Sequence, residues 1–168
     1  MKINSHSQTL QLILPDEQAL LDFAAKLAQT VADDRLLFYL YGNLGVGKTT
    51  LVRGFLRQFG YLGAVKSPTF TLVEPYTLTQ NNLQQLSVFH FDLYRLGDAE
   101  ELEYMGMQDY LDGRSMVFIE WPEKGEGFLN QADINISLDY AEKGRYLSID
   151  GISAPGKNYV SRLRLLLS

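Results

Sequence analysis

Residues 42–49, GNLGVGKT, place Gly42, Gly47, Lys48 and Thr49 at the spacing G-x-x-x-x-G-K-[ST], with Gly45 adding a third glycine inside the loop. Glycines let the backbone curl until successive N–H groups converge on an anion. A helix opening near Lys48 aims the positive end of its dipole at the same point. The chemistry this spacing serves is the grip on a chain of phosphates. Gly42, Asn43, Leu44, Gly45, Val46, Gly47, Lys48, Thr49 and Thr50 are the expected contacts: the amides for the α- and β-phosphates, the Lys48 ammonium between the β- and γ-phosphates, and the Thr49 hydroxyl for Mg²⁺. Two acids stand in strand-like runs downstream. Asp92 lies in the aromatic-rich LSVFHFDLYR, where an unpaired carboxylate is costly to bury and must face water, a cation or a donor. Glu120 closes the apolar run of SMVFIEW, at the end where ligands sit in parallel sheets, and is expected to approach the Mg²⁺ held by Thr49. Trp121 and Pro122 follow and can cover that edge.

The elements that must position these groups follow from periodicity. Leu36 to Tyr41 is a near-continuous apolar run that predicts a strand buried on both faces and feeding the loop. Leu51, Val52, Phe55, Leu56 and Phe59 share one face of the helix after it. Upstream, residues 8–14 predict an edge strand ending at Pro15. An amphipathic helix follows, capped by Asp16, with Ala19, Leu20, Phe23, Leu27 and Val31 at helical spacing. Two strand-like pieces are expected around Ser67-Pro68-Thr69, where Pro68 holds Thr69 in a set place beside the loop. A threonine there can sense Mg²⁺ and a γ-phosphate, and the segment reads equally as an ordinary turn.

The polar tip at residues 80–85 predicts a hairpin returning through Leu86–Arg95. Alternation sets Phe89, Phe91 and Leu93 on a core face and His90, Asp92 and Tyr94 on a solvated or chemically active one. Residues 98–113 read as two short helices split at Gly106, with Asp98 as a cap. Residues 133–140 and 145–152 read as an antiparallel hairpin on the sheet's other flank. A last helix over 157–167 turns Val160, Leu163, Leu166 and Leu167 inward and leaves Lys157, Arg162 and Arg164 wet. The expected fold class is α/β: a phosphate-loop NTPase-like three-layer sandwich, with central parallel strands flanked by antiparallel strands or hairpins. One domain spans 1–168.

Totals narrow the function. A chain of 168 residues with 46% hydrophobic content fills one sizeable core. A formal charge of −5 argues against tight unaided binding to tRNA or any other nucleic acid, which needs concentrated Lys and Arg. The absence of cysteine excludes disulfides and thiolate metal sites. No apolar run approaches the ~20 residues of a membrane span, and the N-terminus lacks a signal-peptide segment, so the expected location is cytoplasmic.

Several stretches resemble the TsaE family: GNLGVGKTTLVRG at 42–54, SPTFTLVEPY at 67–76, HFDLYRL at 90–96, ELEYMGMQDYLDG at 101–113 and IEWPEKG at 119–125. The phosphate loop alone is generic, whereas H-x-D-x-Y-R followed by I-E-W-P-E is specific. The resemblance implies a small ATPase of tRNA threonylcarbamoyladenosine synthesis that acts with partners similar to TsaB and TsaD and does not itself transfer the threonylcarbamoyl group. It implies ATP and Mg²⁺ as cofactors and Lys48, Asp92 and Glu120 as catalytic residues, with Asp92 positioning or activating water. Thr49 and Glu120 are then the metal residues, Thr69 the switch threonine, and Trp121 a nucleotide- or partner-edge residue. Asn43 departs from the family's loop, which commonly reads G-D-L-G, and removes a charge near the phosphates while leaving the backbone cradle intact. The rival reading is a small-molecule kinase on the same fold with Asp92 as base. Such kinases usually carry an Arg-bearing lid, and neither Arg95 nor Arg114 lies in an obvious lid segment. A guanine-specific switch lacks its N-K-x-D segment, and a non-catalytic binding module stays open.

Overall fold

Parallel strands buried on both faces form the middle of the molecule, as the apolar runs require. In a computed structural model describing residues 9–168, the elements are β1 (Thr9–Leu14), α1 (Glu17–Gln29), β2 (Leu37–Tyr41), α2 (Lys48–Gln58), β3 (Val73–Thr79), β4 (Gln85–Asp92), α3 (Glu101–Tyr104), α4 (Met107–Tyr110), β5 (Met116–Glu120), a 3-10 turn (Pro122–Gly125), β6 (Ile134–Tyr140), β7 (Arg145–Gly151) and α5 (Ala154–Leu167). The strands make one sheet in the order β1-β7-β6-β2-β5-β4-β3. β4, β5, β2 and β6 run parallel to one another, while β3, the first arm of one hairpin, and β7, the second arm of another, run antiparallel to their neighbours β4 and β6.

Register decides which side chains share a face. Phe38 pairs with Phe118 and Phe118 with His90; one step on, Leu40 pairs with Glu120 and Glu120 with Asp92. This row faces α2. Below the acids it is apolar: Phe118 stacks on Phe38 at 4.7 Å between centroids and meets Phe55 of α2 edge-on at 4.9 Å. Helices α1, α2 and α5 cover this face and close the larger core. The opposite face carries a smaller core, where Leu37, Phe91, Val117 and Ile119 pack with Leu102 of α3 and Met107 of α4. That third layer is thin, being built from single-turn helices.

Local signals account for several boundaries. Asp16 accepts the Ala19 N–H at 2.8 Å and caps α1. Asp98 accepts the Glu100 N–H at 2.9 Å ahead of α3, and Gly106 splits α3 from α4 at φ 73°.

Five expectations are corrected. Only the second piece around Ser67-Pro68-Thr69 is a strand, because the Leu72 N–H turns back onto the Pro68 carbonyl. β4 ends at Asp92, short of Arg95, since the chain turns there: the Tyr94 N–H donates to Asp92 Oδ1 and the Leu96 N–H to the Leu93 carbonyl. Of the two settings expected for His90 and Asp92, the solvated one does not hold, since both are buried. α5 starts three residues early, with the Ser153 hydroxyl accepting the Gly156 N–H at 3.1 Å. Tyr159, Val160 and Leu163 are then its core contacts, while Leu166 is exposed. Arg162 and Arg164 are not merely wet: Arg162 pairs with Asp34 at 2.5 Å, and Arg164 donates to the Thr9 carbonyl at 3.2 Å. Of the expected first strand, residue 8 lies outside the described residues. Among those described, no helix is long and apolar enough to cross a membrane.

Phe118→Ala opens a cavity between β2, β5 and α2, and is expected to cost about 3–5 kcal/mol. In a thermal melt followed by circular dichroism this lowers Tm by roughly 10 °C.

Candidate functional site

The turn between β2 and α2 needs glycine for steric reasons. Gly42, Gly45 and Gly47 have φ of 139°, 77° and 121°, conformations that L side chains rarely adopt. A Cβ on Gly47 would also lie 2.7 Å from Leu20 Cδ2 of α1. No side chain caps α2, so the amides of its first turn, which have no partner within the helix, open onto the loop. An uncapped helix start beneath a curled glycine loop is the environment an anion needs.

Lys48 is only 4% exposed. Its ammonium donates to the carbonyls of Gly42 and Asn43, the latter at 3.0 Å, and lies 4.4 Å from the centre of the Trp121 ring. Burial pulls the Lys48 pKa below its ordinary value, against the opposing pull of Glu120, Asp92 and Glu123. Trp121 itself sits in the left-handed region at φ 57°, with Tyr94 against its ring at 5.0 Å. Four of the expected residues thus meet at the loop mouth: Lys48 and Thr49 from α2, Glu120 from the end of β5, and Trp121 just beyond.

The Thr49 hydroxyl donates to Glu120 Oε1 at 2.7 Å, and His90 Nε2 meets the same oxygen at 2.8 Å. Asp92 lies beside Glu120 in register. It accepts the Tyr94 N–H on Oδ1 at 2.9 Å and the Ser67 hydroxyl on Oδ2. Glu120 and Asp92 are 3% and 4% exposed, so these bonds replace water. Thr69 is not on the acid: its hydroxyl oxygen is buried without a hydrogen-bond partner, and Ser67, two residues earlier, makes the contact.

A divalent cation of the Mg²⁺ kind fits this donor set. The hydroxyl of Thr49 and the carboxylates of Glu120 and Asp92 are hard oxygen ligands, and no cluster of three His, Cys, Asp or Glu among the described residues forms an all-protein metal cage. Mg²⁺ is typically held by one or two protein oxygens, with waters and substrate phosphates completing its shell.

Sequence reasoning missed the far side of the loop. Arg145, the first residue of β7, donates from Nε to the Val46 carbonyl, and the Tyr140 hydroxyl at the end of β6 donates to the Leu44 carbonyl at 3.4 Å. Their hairpin is clear in the alternation, but nothing in it signals that its turn end abuts the loop. Ser67 and His90 stood in the stretches 67–76 and 90–96 that carry the resemblance, but without a role of their own.

A mixed sheet with parallel central strands, a glycine loop between strand and helix, and acids at the tips of two neighbouring strands define a phosphate-loop NTPase-like α/β protein. The crystal structure of Bacillus subtilis YdiB has this fold: it superposes with a TM-score of 0.77 at 24% identity, covering 95% of this chain and 97% of that one. The family profile described as threonylcarbamoyl adenosine biosynthesis protein TsaE matches residues 14–147. The Haemophilus influenzae protein named tRNA threonylcarbamoyladenosine biosynthesis protein TsaE is 44% identical over 158 residues, 92% of this chain and 97% of that protein. Its namesake from Bacillus subtilis is 35% identical over 117 residues, 70% of each chain. The chain belongs to the TsaE family.

Gly47→Ala forces a Cβ into Leu20 at a φ that alanine rarely adopts, which costs on the order of 1–3 kcal/mol and distorts the loop. The expected result is a protein that still folds by circular dichroism but melts roughly 5 °C lower.

Proposed function

We propose that this protein binds ATP with Mg²⁺ at residues 42–50, hydrolyses it, and serves tRNA threonylcarbamoyladenosine biosynthesis in the cytoplasm through protein partners similar to TsaB and TsaD. Family membership supports the biosynthetic role. The observation that carries the ATPase reading is the Thr49 hydroxyl on Glu120, with Asp92 in register beside it, at the mouth of an uncapped helix start.

Each residue then has a task. The amides of the loop and of the first turn of α2 hold the α- and β-phosphates. Lys48 exchanges the Gly42 and Asn43 carbonyls for β- and γ-phosphate oxygens. Thr49 and Glu120 hold Mg²⁺, which when bound offsets the charge on the β- and γ-oxygens. Glu120 is kept in place by His90 behind it. A water whose oxygen bonds to the γ-phosphorus, as the bond to the β–γ bridging oxygen breaks, has Asp92 as its orienting acceptor.

Asp92 Oδ2 accepts the Ser67 hydroxyl and keeps a second lone pair for a water. Ser67 opens the segment that runs to Phe70, which is 82% exposed with the Arg95 guanidinium 4.4 Å from its ring centre. A nucleotide that competed for Asp92 would thereby act on a segment that partners can read. The net charge of −5 fits a role in which other proteins hold the tRNA.

Lys48→Ala is expected to abolish micromolar ATP binding in calorimetry. Asp92→Ala and Glu120→Ala are expected to bind ATP while phosphate release falls roughly 100-fold or more. Wild-type hydrolysis in both acid variants would remove them from the mechanism. ATP consumption that required an added phosphorylatable metabolite would replace this reading with a kinase.

A further inference from the structure

The carboxyl edge of the α2-covered face is chemically asymmetric about the loop. On one side, β5 and β4 present Glu120 and Asp92. On the other, β6 and β7 present Tyr140 and Arg145, which are cross-strand partners in the antiparallel ladder. If the acids serve the metal and the reacting end of a triphosphate, the γ-phosphate points toward β5 and β4. The remainder of the nucleotide then leaves the loop over the β6–β7 turn.

What stands there suits a flat ring. Tyr140 is 60% exposed although it is a large aromatic, and Leu44, on the tip of the loop beside it, is 65% exposed. The two are tied by the Tyr140 hydroxyl on the Leu44 carbonyl. A Cβ on Gly45 would touch that hydroxyl at 3.4 Å, so the loop lies directly against the tyrosine. Arg145 bonds through Nε to the Val46 carbonyl, makes no ion pair among the described residues, and fixes the distance between hairpin and loop.

We propose that Tyr140, with Leu44 beside it, is the platform on which the base of the bound nucleotide stacks, and that Arg145 is a positioning residue holding the loop against that platform. The proposal rests on residues 42–50 being a nucleotide site, and it adds where the nucleoside lies. Stacking on a π-face is tolerant of base identity, so this wall supplies affinity without selecting between purines.

The test compares ATP with inorganic tripolyphosphate, which has the phosphates and no base, by calorimetry on the full chain. For Tyr140→Ala, ATP binding is expected to weaken roughly five- to tenfold, the low end for base–aromatic stacking at a ring open to water. Tripolyphosphate binding stays at the wild-type value, and Tyr140→Phe, which keeps the ring, binds ATP as wild type does. Equal weakening of both ligands would make Tyr140 a prop for the loop and overturn the proposal, as would no change in either. A Tyr140→Phe loss as large as that of Tyr140→Ala would overturn it in favour of the hydroxyl. Wild-type protein that bound neither ligand would instead refute the phosphate loop as the site, an outcome distinct from all of these.

Discussion

One carboxylate oxygen joins three elements of this fold. Oε1 of Glu120 receives the Thr49 hydroxyl from the first turn of α2 and meets His90 Nε2 from β4, so helix, neighbouring strand and the strand bearing the acid are fastened at a single atom. A buried carboxyl group left unpaired costs several kcal/mol, so the Thr49 hydroxyl and the His90 ring must both stay in contact with it. That requirement fixes the first turn of α2 over the end of β5, and with it the direction in which the loop between β2 and α2 opens. The parallel register supplies the rest: once Glu120 is paired with Leu40 on one side and Asp92 on the other, the second acid cannot lie elsewhere.

The sheet serves its two faces unequally. Helices α1, α2 and α5 make a thick apolar layer whose aromatic centre, Phe38, Phe55 and Phe118, lies directly below the acids. Rigid packing beneath a site holds its side chains to their geometry. On the reverse face the cover is single-turn helices and a 3-10 turn, short pieces of which only the last reaches the phosphate loop, through Trp121 over Lys48. The candidate site residues therefore gather at one edge of the sheet.

How much of this was legible in the sequence depended on where each constraint resides. The phosphate loop was readable because its backbone demands particular residue types at fixed spacing, and the positive φ of Gly42, Gly45 and Gly47 is that demand in three dimensions. β5 and its terminal acid were readable because a strand buried on both faces must be apolar up to its end. Alternation in β4 gave the right parity for His90 and Asp92 but the wrong surroundings, since it cannot tell that a helix from elsewhere in the chain covers the second face. Pro68 announced a rigid turn. Which neighbouring hydroxyl meets Asp92 was decided by the fold of residues 68–72, where Leu72 adopts φ 69°. Tyr140 and Arg145 come to the loop only through the placement of β6 beside β2, a tertiary fact with no local signature. In α5, an earlier start at Ala154 turned Tyr159 inward and Leu166 outward.

The lysine of the loop is already engaged. With its ammonium shared between two main-chain carbonyls and covered by an indole, the cradle carries an internal competitor for any anion that arrives. Capture is thus a substitution of one set of oxygen partners for another, and the strength of the complex measures only the difference between them. An anion at this loop would therefore be held by that difference and not by the full charge of the lysine.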